Sequence, residues 1–182
     1  MLKKFNLFHS ILGKFFKNRP YDARTVEISK QEYFIRAIVL DDIKDLLSIE
    51  REVYAGELPW TKTAFLMELQ AAEPHLYLLI QKDEQTIGFV GCRIFGKDAH
   101  ITNVAVLTQY QGNGIGSFLI REVQEFARVN DCQTISLEVR ISNKNAQRVY
   151  RKLGFVSNTI KPAYYSENKE DALEMMLHLK EE

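Results

Sequence analysis

The sequence predicts an α/β protein of the α+β kind, with a mixed central sheet of about seven strands flanked by helices. Short apolar runs rich in β-branched residues recur along the chain, as in buried strands. Strands come first as a group and later alternate with helices, an order typical of a mixed sheet. The chain has 182 residues, of which 46% are hydrophobic, so it can form one compact domain with a sizeable core.

The predicted elements follow one another from residue 34 onward. The strands are predicted at 34–38, 76–80, 87–95, 99–107, 134–139, from 155 and at 172–179. A first helix should follow Asp41 or Asp42, and Thr61 should cap a second helix that ends before Pro74. Helices at 114–129 and 143–152 complete the fold, because apolar residues there recur at helical spacing.

Composition excludes several classes of protein. The formal net charge is zero, so we expect no direct sequence-specific binding of nucleic acid. No apolar run approaches the roughly 18 residues that a membrane span needs. Cys92 and Cys132 lack metal or redox spacing and fit reduced thiols in a cytoplasmic protein. The four histidines are scattered, so we expect no metal site.

The first 32 residues differ from the rest. Residues 1–24 hold six Lys or Arg and one acidic residue, Asp22, and 1–19 place phenylalanines among lysines at roughly helical spacing. This segment could form an amphipathic helix on an anionic surface such as a membrane or ribosomal RNA, an extra helix packed on the domain, or a frayed terminus. Residues 18–32 are polar and predict a linker. The predicted boundaries are thus a basic amphipathic extension and linker at 1–32 and a folded domain at 33–182.

Residues 103–116, NVAVLTQYQGNGIG, carry the strongest functional signal. A strand leads into a turn with glycines at 112, 114 and 116, and a helix follows. The first N–H groups of a helix lack partners within it, and glycines let a phosphate approach the backbone. The stretch is therefore either a pyrophosphate cradle or a simple tight turn. It matches neither G-x-x-x-x-G-K-[ST] nor the G-x-G-x-x-G fingerprint.

A resemblance to a known family rests on two motifs. Gln111, Gly114 and Gly116 fit Q-x-x-G-x-G, which resembles the acetyl-CoA signature of the GNAT superfamily of N-acetyltransferases. Residues 137–143 read LEVRISN, and four later residues continue a run that resembles one GNAT branch, the RimI-type ribosomal-protein-alanine N-acetyltransferases. These four are Ala146, Tyr150, Gly154 and Phe155. Val149 stands where this branch often has Leu. The resemblance covers roughly residues 33–180, so 33–182 is identified as a GNAT acetyltransferase domain.

The resemblance implies a GNAT fold whose sheet is splayed in the middle to admit CoA. It also implies acetyl-CoA as cosubstrate, without a metal. The residues expected to contact acetyl-CoA are Val104, Ala105, Val106, Gln111, Gly112, Asn113, Gly114, Ile115, Gly116 and Asn143. From the residues alone, Asn143 could equally be the N-cap of a helix.

Acetyl transfer to an amine needs a base for the amine and an acid for the departing thiolate. Glu138 points to the polar side of its strand, where a glutamate is either a solvated or paired charge or a base. The resemblance implies the base. Tyr150 is either a core aromatic residue or, as the resemblance implies, the acid. Asp98 is a weaker alternative base.

The acceptor is predicted from two further sequence pairs, Pro59–Trp60 and Tyr164–Tyr165. Both resemble RimI-type elements that flank an acceptor peptide groove, although Trp60 could instead pack under the first helices. The resemblance implies transfer of acetyl to the N-terminal α-amine of a protein, namely the N-terminal alanine of a small-subunit ribosomal protein, by direct attack in a ternary complex. The alternatives are a GNAT enzyme acting on a lysine side chain or small amine, and a non-catalytic acetyl-CoA-binding module.

Overall fold

The computed structural model describes residues 21–54, 56 and 59–179. Its strands are β1 Arg24–Ile28, β2 Gln31–Ala37, β3 His75–Lys82, β4 Gln85–Phe95, β5 Asp98–Val106, β6 Thr134–Arg140, β7 Val156–Tyr165 and β8 Glu170–His178. Its helices are α1 Ile43–Val53, α2 Lys62–Leu69, α3 Ile115–Val129 and α4 Lys144–Lys152. Short 3₁₀ turns at Leu40–Asp42 and Thr108–Tyr110 precede α1 and the glycine turn.

The eight strands form one sheet in the order β1-β2-β3-β4-β5-β6-β8-β7. All neighbours are antiparallel except β5 and β6, which are parallel and are joined through α3. The core lies between the sheet and its helices, where Phe65, Phe89 and Leu119 are fully buried. The predicted mixed sheet flanked by helices is therefore confirmed.

The strand β1 was not predicted. Its five residues pair with β2, and Ile28 is buried, so the predicted linker at 18–32 is wrong for residues 24–32. The hairpin turn uses Ser29 and Lys30 at φ values of 51° and 65°, where glycine or asparagine is the usual choice. Because neither glycine nor asparagine occupies these two positions, the sequence did not predict the hairpin. The amphipathic segment predicted at 1–19 lies outside the described residues.

Local interactions explain where the first helices begin. Arg36 in β2 donates two hydrogen bonds of 2.7 and 2.8 Å to the Asp42 carboxylate, which also accepts the Val39 backbone N–H. This pairing ties the start of α1 to the sheet. The Thr61 hydroxyl accepts the backbone N–H of Ala64 at 3.1 Å, which confirms the predicted N-cap of α2. That helix ends at Leu69, earlier than the predicted limit before Pro74.

The sheet opens between β5 and β6. These strands pair only at Asp98 with Thr134, Ala99 with Ile135 and His100 with Ser136. Beyond those pairs β5 runs on to Val106 and β6 runs on to Arg140 without pairing to each other. A bulge in β4 between Gly91 and Cys92 accompanies the opening. The splayed centre that the resemblance implied is present.

In the part of the chain that the structure describes, no helix is both long enough and apolar enough to span a bilayer.

Candidate active site

A cavity of about 1100 Å³ opens where β5 and β6 separate. One side is formed by β5, the glycine turn and the start of α3, and another by β6 and α4. The end of α1, Pro59–Trp60 and Tyr164–Tyr165 close the opposite side. All predicted catalytic, acetyl-CoA-binding and substrate-binding residues line this cavity except Asn113.

The glycine turn presents bare backbone to the cavity. Gly112 and Gly114 have φ values of 78° and 86°, which side chains other than glycine rarely adopt. A Cβ built on Gly112 or Gly116 would meet no protein atom within 4 Å, so the surface of the turn is open. Gly114 is the N-cap of α3, whose free N–H groups favour an anion. The turn therefore fits a pyrophosphate.

The two amide side chains of the turn support its shape. Gln111 Nε2 donates to the Val106 carbonyl at 2.9 Å and ties the turn to the end of β5. Asn113 Nδ2 donates to the Tyr110 backbone carbonyl at 3.2 Å, and the backbone carbonyl of Asn113 accepts the Ser29 hydroxyl at 2.9 Å. Asn113 thus anchors the turn to the β1–β2 hairpin. Asn113 is not among the residues that line the cavity, and its predicted contact with acetyl-CoA stays a prediction.

Replacing Gly116 with Val should weaken acetyl-CoA binding without unfolding the protein. The new side chain would enter the open cradle and block a phosphate, so we expect the Kd for CoA to rise at least about tenfold. Because no protein atom is displaced, the free energy of unfolding should change by less than about 1 kcal/mol. Urea unfolding and calorimetric titration with CoA measure both effects. Glu125→Val on the solvent side of α3 is the matched control, and equal CoA affinity in both variants would contradict the assignment.

Glu138 lies in the gap between β5 and β6 with both carboxylate oxygens occupied. Its Oε1 is 2.5 Å from the Lys161 ammonium on β7, and its Oε2 is 3.2 Å from His100 Nε2 on β5. Burial alone would raise the pKa of the Glu138 carboxyl, but hydrogen bonds and charge from His100 and Lys161 outweigh burial and lower the pKa to about 2. Glu138 is therefore ionised at neutral pH and can accept a proton.

Asp98 does not line the cavity. It lies at the start of β5, where its carboxylate accepts the Thr134 hydroxyl at 2.6 Å and the Ser136 hydroxyl. The structure does not place Asp98 where it could contact an acceptor amine, so its predicted role as an alternative base is not supported. It connects to Glu138 only through Ser136 and His100.

Tyr150 in α4 is 8% exposed and faces the cavity. Its ring packs on Phe155 with centroids 5.9 Å apart. Burial, and then the nearby Tyr54 and Tyr165, raise the pKa of the Tyr150 phenol, which stays protonated at neutral pH and can donate its proton. Asn143 Oδ1 accepts the Ala146 N–H at 3.1 Å, so Asn143 both caps α4 and lines the cavity.

Glu50 is a buried carboxyl group in the cavity wall that was not predicted. It is 1% exposed, and its Oε2 accepts the backbone N–H of Trp60 at 3.1 Å. Burial raises the pKa of Glu50 to about 7, although the hydrogen bond from Trp60 acts in the opposite direction. The sequence did hold a signal, because Glu50 falls at helical spacing with Ile43 and Leu46 on the apolar face of α1.

Replacing Glu50 with Gln should stabilise the protein more at pH 8 than at pH 5. The raised pKa of Glu50 means that its stabilising contribution is complete below about 4.5 and is lost as pH rises to about 7. Glutamine keeps an acceptor for Trp60 and carries no charge. The gain in unfolding free energy should grow by about 2 kcal/mol between the two pH values. Urea unfolding at both values measures it, and a gain independent of pH would contradict the prediction.

Aromatic side chains form the outer side of the cavity. Trp60 contacts Phe65 with ring centroids 5.2 Å apart, so it is both packed on α2 and part of the cavity wall. Tyr164 and Tyr165 meet edge to face at 5.2 Å, and the Arg140 guanidinium lies 4.0 Å from the centre of the Tyr165 ring. These tyrosines are the last two residues of β7. The arrangement offers a fixed aromatic surface for a peptide.

A comparison of sequences decides the family. The sequence model described as the Acetyltransferase (GNAT) family matches residues 40–155, which is more than half of the chain. The chain belongs to the GNAT acetyltransferase family. The predicted family, fold and enzyme class are thereby confirmed, and the glycine turn and splayed sheet described above lie within the matched region.

Individual relatives of this GNAT protein are also similar over most of their length. A Bacillus subtilis protein with the provisional name ribosomal protein bS18-alanine N-acetyltransferase is 38% identical over 152 residues, covering 84% of this chain and 99% of that protein. The N-alpha-acetyltransferase RimI of Mycobacterium tuberculosis is 30% identical over 145 residues, covering 78% and 89%. The crystal structure of the ribosomal-protein-S18-alanine N-acetyltransferase from Escherichia coli superposes with a TM-score of 0.73 at 27% identity, covering 82% and 96%.

Proposed function

We propose that this GNAT protein transfers the acetyl group of acetyl-CoA to the N-terminal α-amino group of a protein. The observation that carries the proposal is a single cavity that joins three parts. The glycine turn offers a place for a pyrophosphate, Glu138 and Tyr150 offer a base and an acid, and the aromatic wall offers a surface for a peptide. The relatives named above as N-acetyltransferases of protein termini support the same conclusion.

The residues present fit acetyl-CoA. The open glycine turn and the start of α3 would hold the pyrophosphate, and the unpaired edge of β5 at Val104 and Val106 would hold the pantetheine arm. Lys152 in α4 also lines the cavity and adds positive charge. When bound, acetyl-CoA supplies the acyl group as a thioester. Asn143, at the start of α4, lies where it can contact the pantetheine arm or the acetyl group.

The two catalytic side chains divide the proton transfers between them. Glu138 accepts the proton of the attacking amine, directly or through water, because its carboxylate faces the gap where β5 and β6 separate. Tyr150 donates its phenolic proton to the departing thiolate, because it is neutral and faces the same cavity. Attack is direct: Cys92 and Cys132 are buried and do not line the cavity.

The acceptor is an N-terminal α-amine and, more narrowly, the N-terminal alanine of the small-subunit ribosomal protein bS18. An α-amine has an ordinary pKa of about 7.7–8.0, against about 10.4 for lysine, so it is far easier to deprotonate near neutral pH. Trp60 and the Tyr164–Tyr165 pair line the same cavity and offer an aromatic surface for the first residues of the acceptor. The names of the Bacillus subtilis and Escherichia coli proteins support this acceptor.

A peptide panel tests this acceptor. Thiol release from acetyl-CoA is measured with a peptide that begins with alanine and a ribosomal-type sequence, with the same peptide beginning with a bulky residue, and with its α-amine blocked. We expect kcat/KM to be highest with alanine and to vanish when the amine is blocked. Equal rates with the alanine and bulky peptides would overturn the alanine preference. The blocked peptide retains an internal lysine. Activity with this peptide alone would overturn the proposal that the α-amine is the acceptor.

The proposal also includes a cytoplasmic location for the enzyme and a role for its N-terminal segment. Cys92 and Cys132 are buried thiols, which suits the reducing cytoplasm in which we place the enzyme. The basic segment at 1–19 would bring the enzyme to an anionic surface, either a membrane or ribosomal RNA, where its acceptor is made or assembled. Its many lysines favour such contact without any sequence-specific recognition of nucleic acid.

A further inference from the structure

Glu50 is a buried carboxyl group that takes no part in the proposed proton transfers. It lies in the last turn of α1, lines the cavity and is 1% exposed. An ionisable side chain is seldom buried this completely without partners, so the groups around Glu50 show what it holds in place. These groups come from two other parts of the cavity wall, the connection between α1 and α2 and the strand β5.

The connection between α1 and α2 is fastened to α1 by Glu50. Glu50 Oε2 accepts the backbone N–H of Trp60, ten residues later, at 3.1 Å. A second hydrogen bond, from the Gly56 N–H to the Arg51 carbonyl at 2.7 Å, ties the connection to α1 nearer its start. The Trp60 ring packs on Phe65 in α2. The side chain of Trp60 is therefore held by α2, whereas its backbone is held by the Glu50 carboxyl.

A second donor approaches Glu50 from β5. Asn103 pairs with Gly91 of β4, and a Cβ on Gly91 would come within 2.5 Å of Asn103 Oδ1, so the glycine leaves room for this amide. The Asn103 nitrogen is buried and makes no close hydrogen bond to a described residue. It lies near enough to Glu50 to favour the ionised carboxylate and so to lower its pKa, against the larger effect of burial. Glu50 therefore links the α1–α2 connection to β5, the strand that offers an edge to acetyl-CoA.

We propose that Glu50 is a positioning residue for the acceptor: it fixes Trp60 in the cavity wall and thereby sets how tightly the acceptor peptide binds. This inference rests on the proposed function, in which Trp60 forms part of the surface for a peptide. A peptide that meets a wall already in place loses no binding energy to ordering that wall. Glu50 exchanges no proton in this role, because a carboxyl group can accept the Trp60 N–H in either protonation state.

Steady-state kinetics of Glu50→Met test the proposal. Methionine fills a similar volume but offers no acceptor for the Trp60 N–H, so we expect KM for the alanine peptide to rise about 5- to 100-fold, as for the loss of one buried hydrogen bond. The kcat at saturating peptide and the Kd for CoA should stay close to the wild-type values. Glu50→Gln keeps an acceptor oxygen and should restore the wild-type KM. A fall in kcat at unchanged KM, or an equal rise of KM in both variants, would overturn the proposal.

Asp42→Ala is the matched control for the loss of a buried carboxyl group. Asp42 lies just before α1, is 7% exposed and accepts the backbone N–H of Val39 at 2.8 Å, but it does not line the cavity. Its replacement should lower the free energy of unfolding and leave KM for the peptide unchanged. A rise of KM equal to that of Glu50→Met would show that any loosening around α1 weakens acceptor binding, and the proposal would fail.

The fluorescence of Trp60, the only tryptophan of the chain, tests the proposal without turnover. In the free enzyme, Glu50→Met should move the emission to longer wavelength and make it easier to quench with acrylamide, because the backbone of Trp60 is no longer fixed. Glu50→Gln and Asp42→Ala should keep the wild-type spectrum. An unchanged spectrum in Glu50→Met would overturn the proposal even if peptides are acetylated. If the spectrum changes but the wild-type enzyme acetylates no α-amine, the proposed function fails and the hold of Glu50 on Trp60 stands.

Discussion

Replacing Glu138 with Gln should lower kcat by about two to four orders of magnitude. Glutamine fills the same space and keeps an oxygen for Lys161, but it cannot accept the proton of the attacking amine. Because the glycine turn is more than twenty residues away in sequence and on different elements, acetyl-CoA binding should persist. Thiol release at saturating peptide measures kcat, and calorimetric titration with CoA measures binding.

Glu174 provides the matched control for Glu138. Its carboxylate also bonds Lys161, at 2.9 Å, but Glu174 lies on β8 and does not line the cavity. Glu174→Gln removes the same charge from the same cluster and should change kcat less than about tenfold. If both variants lost activity equally, the effect of Glu138→Gln would come from the cluster's charge rather than from proton transfer.

Replacing Tyr150 with Phe should lower kcat by about 100-fold or more and leave KM for the peptide nearly unchanged, because general acid catalysis contributes roughly 10²–10⁴-fold. Phenylalanine keeps the packing on Phe155 and removes only the hydroxyl. No hydrogen bond of the Tyr150 hydroxyl to the described protein atoms is lost, so the melting temperature should be close to that of the wild type. Single-turnover thiol release measures the chemical step directly.

Tyr33→Phe is the control for this substitution. Tyr33 is equally buried, at 4% exposure, but it lies on β2, away from the cavity. It should retain wild-type kcat. A Tyr150→Phe enzyme with undiminished single-turnover rate would remove Tyr150 from the mechanism and leave water as the proton donor.

The sequence predicted those features that depend on neighbours along the chain. Alternating and continuous apolar runs marked seven of the eight strands, and the glycine spacing at 112–116 marked the turn before α3. The side chains that line the cavity were predicted largely because their motifs resemble a family. The hairpin at Ser29 and Lys30 was missed because its positive φ angles are held by strand pairing rather than by glycine.

Contacts between distant strands could not be predicted. The approach of Lys161 to Glu138 depends on how β7 and β6 both align with β8. The hydrogen bond between His100 and Ser136 depends on the short parallel register of β5 and β6. A single sequence shows which residues share one face of a strand, but it does not show which other strand pairs with that strand. For that reason the sequence did not show that Asp98 accepts the hydroxyl groups of Thr134 and Ser136.

The most direct test of the proposed function uses one peptide that carries both acceptors. The peptide begins with alanine, has a free α-amine and contains an internal lysine, and fragmentation mass spectrometry locates the acetyl group after partial reaction. We expect acetyl on the α-amine and none on the lysine, at a rate that falls with Glu138→Gln. Acetyl on the lysine alone, or no acetyl on a peptide in the presence of an enzyme that binds CoA, would contradict N-terminal acetylation.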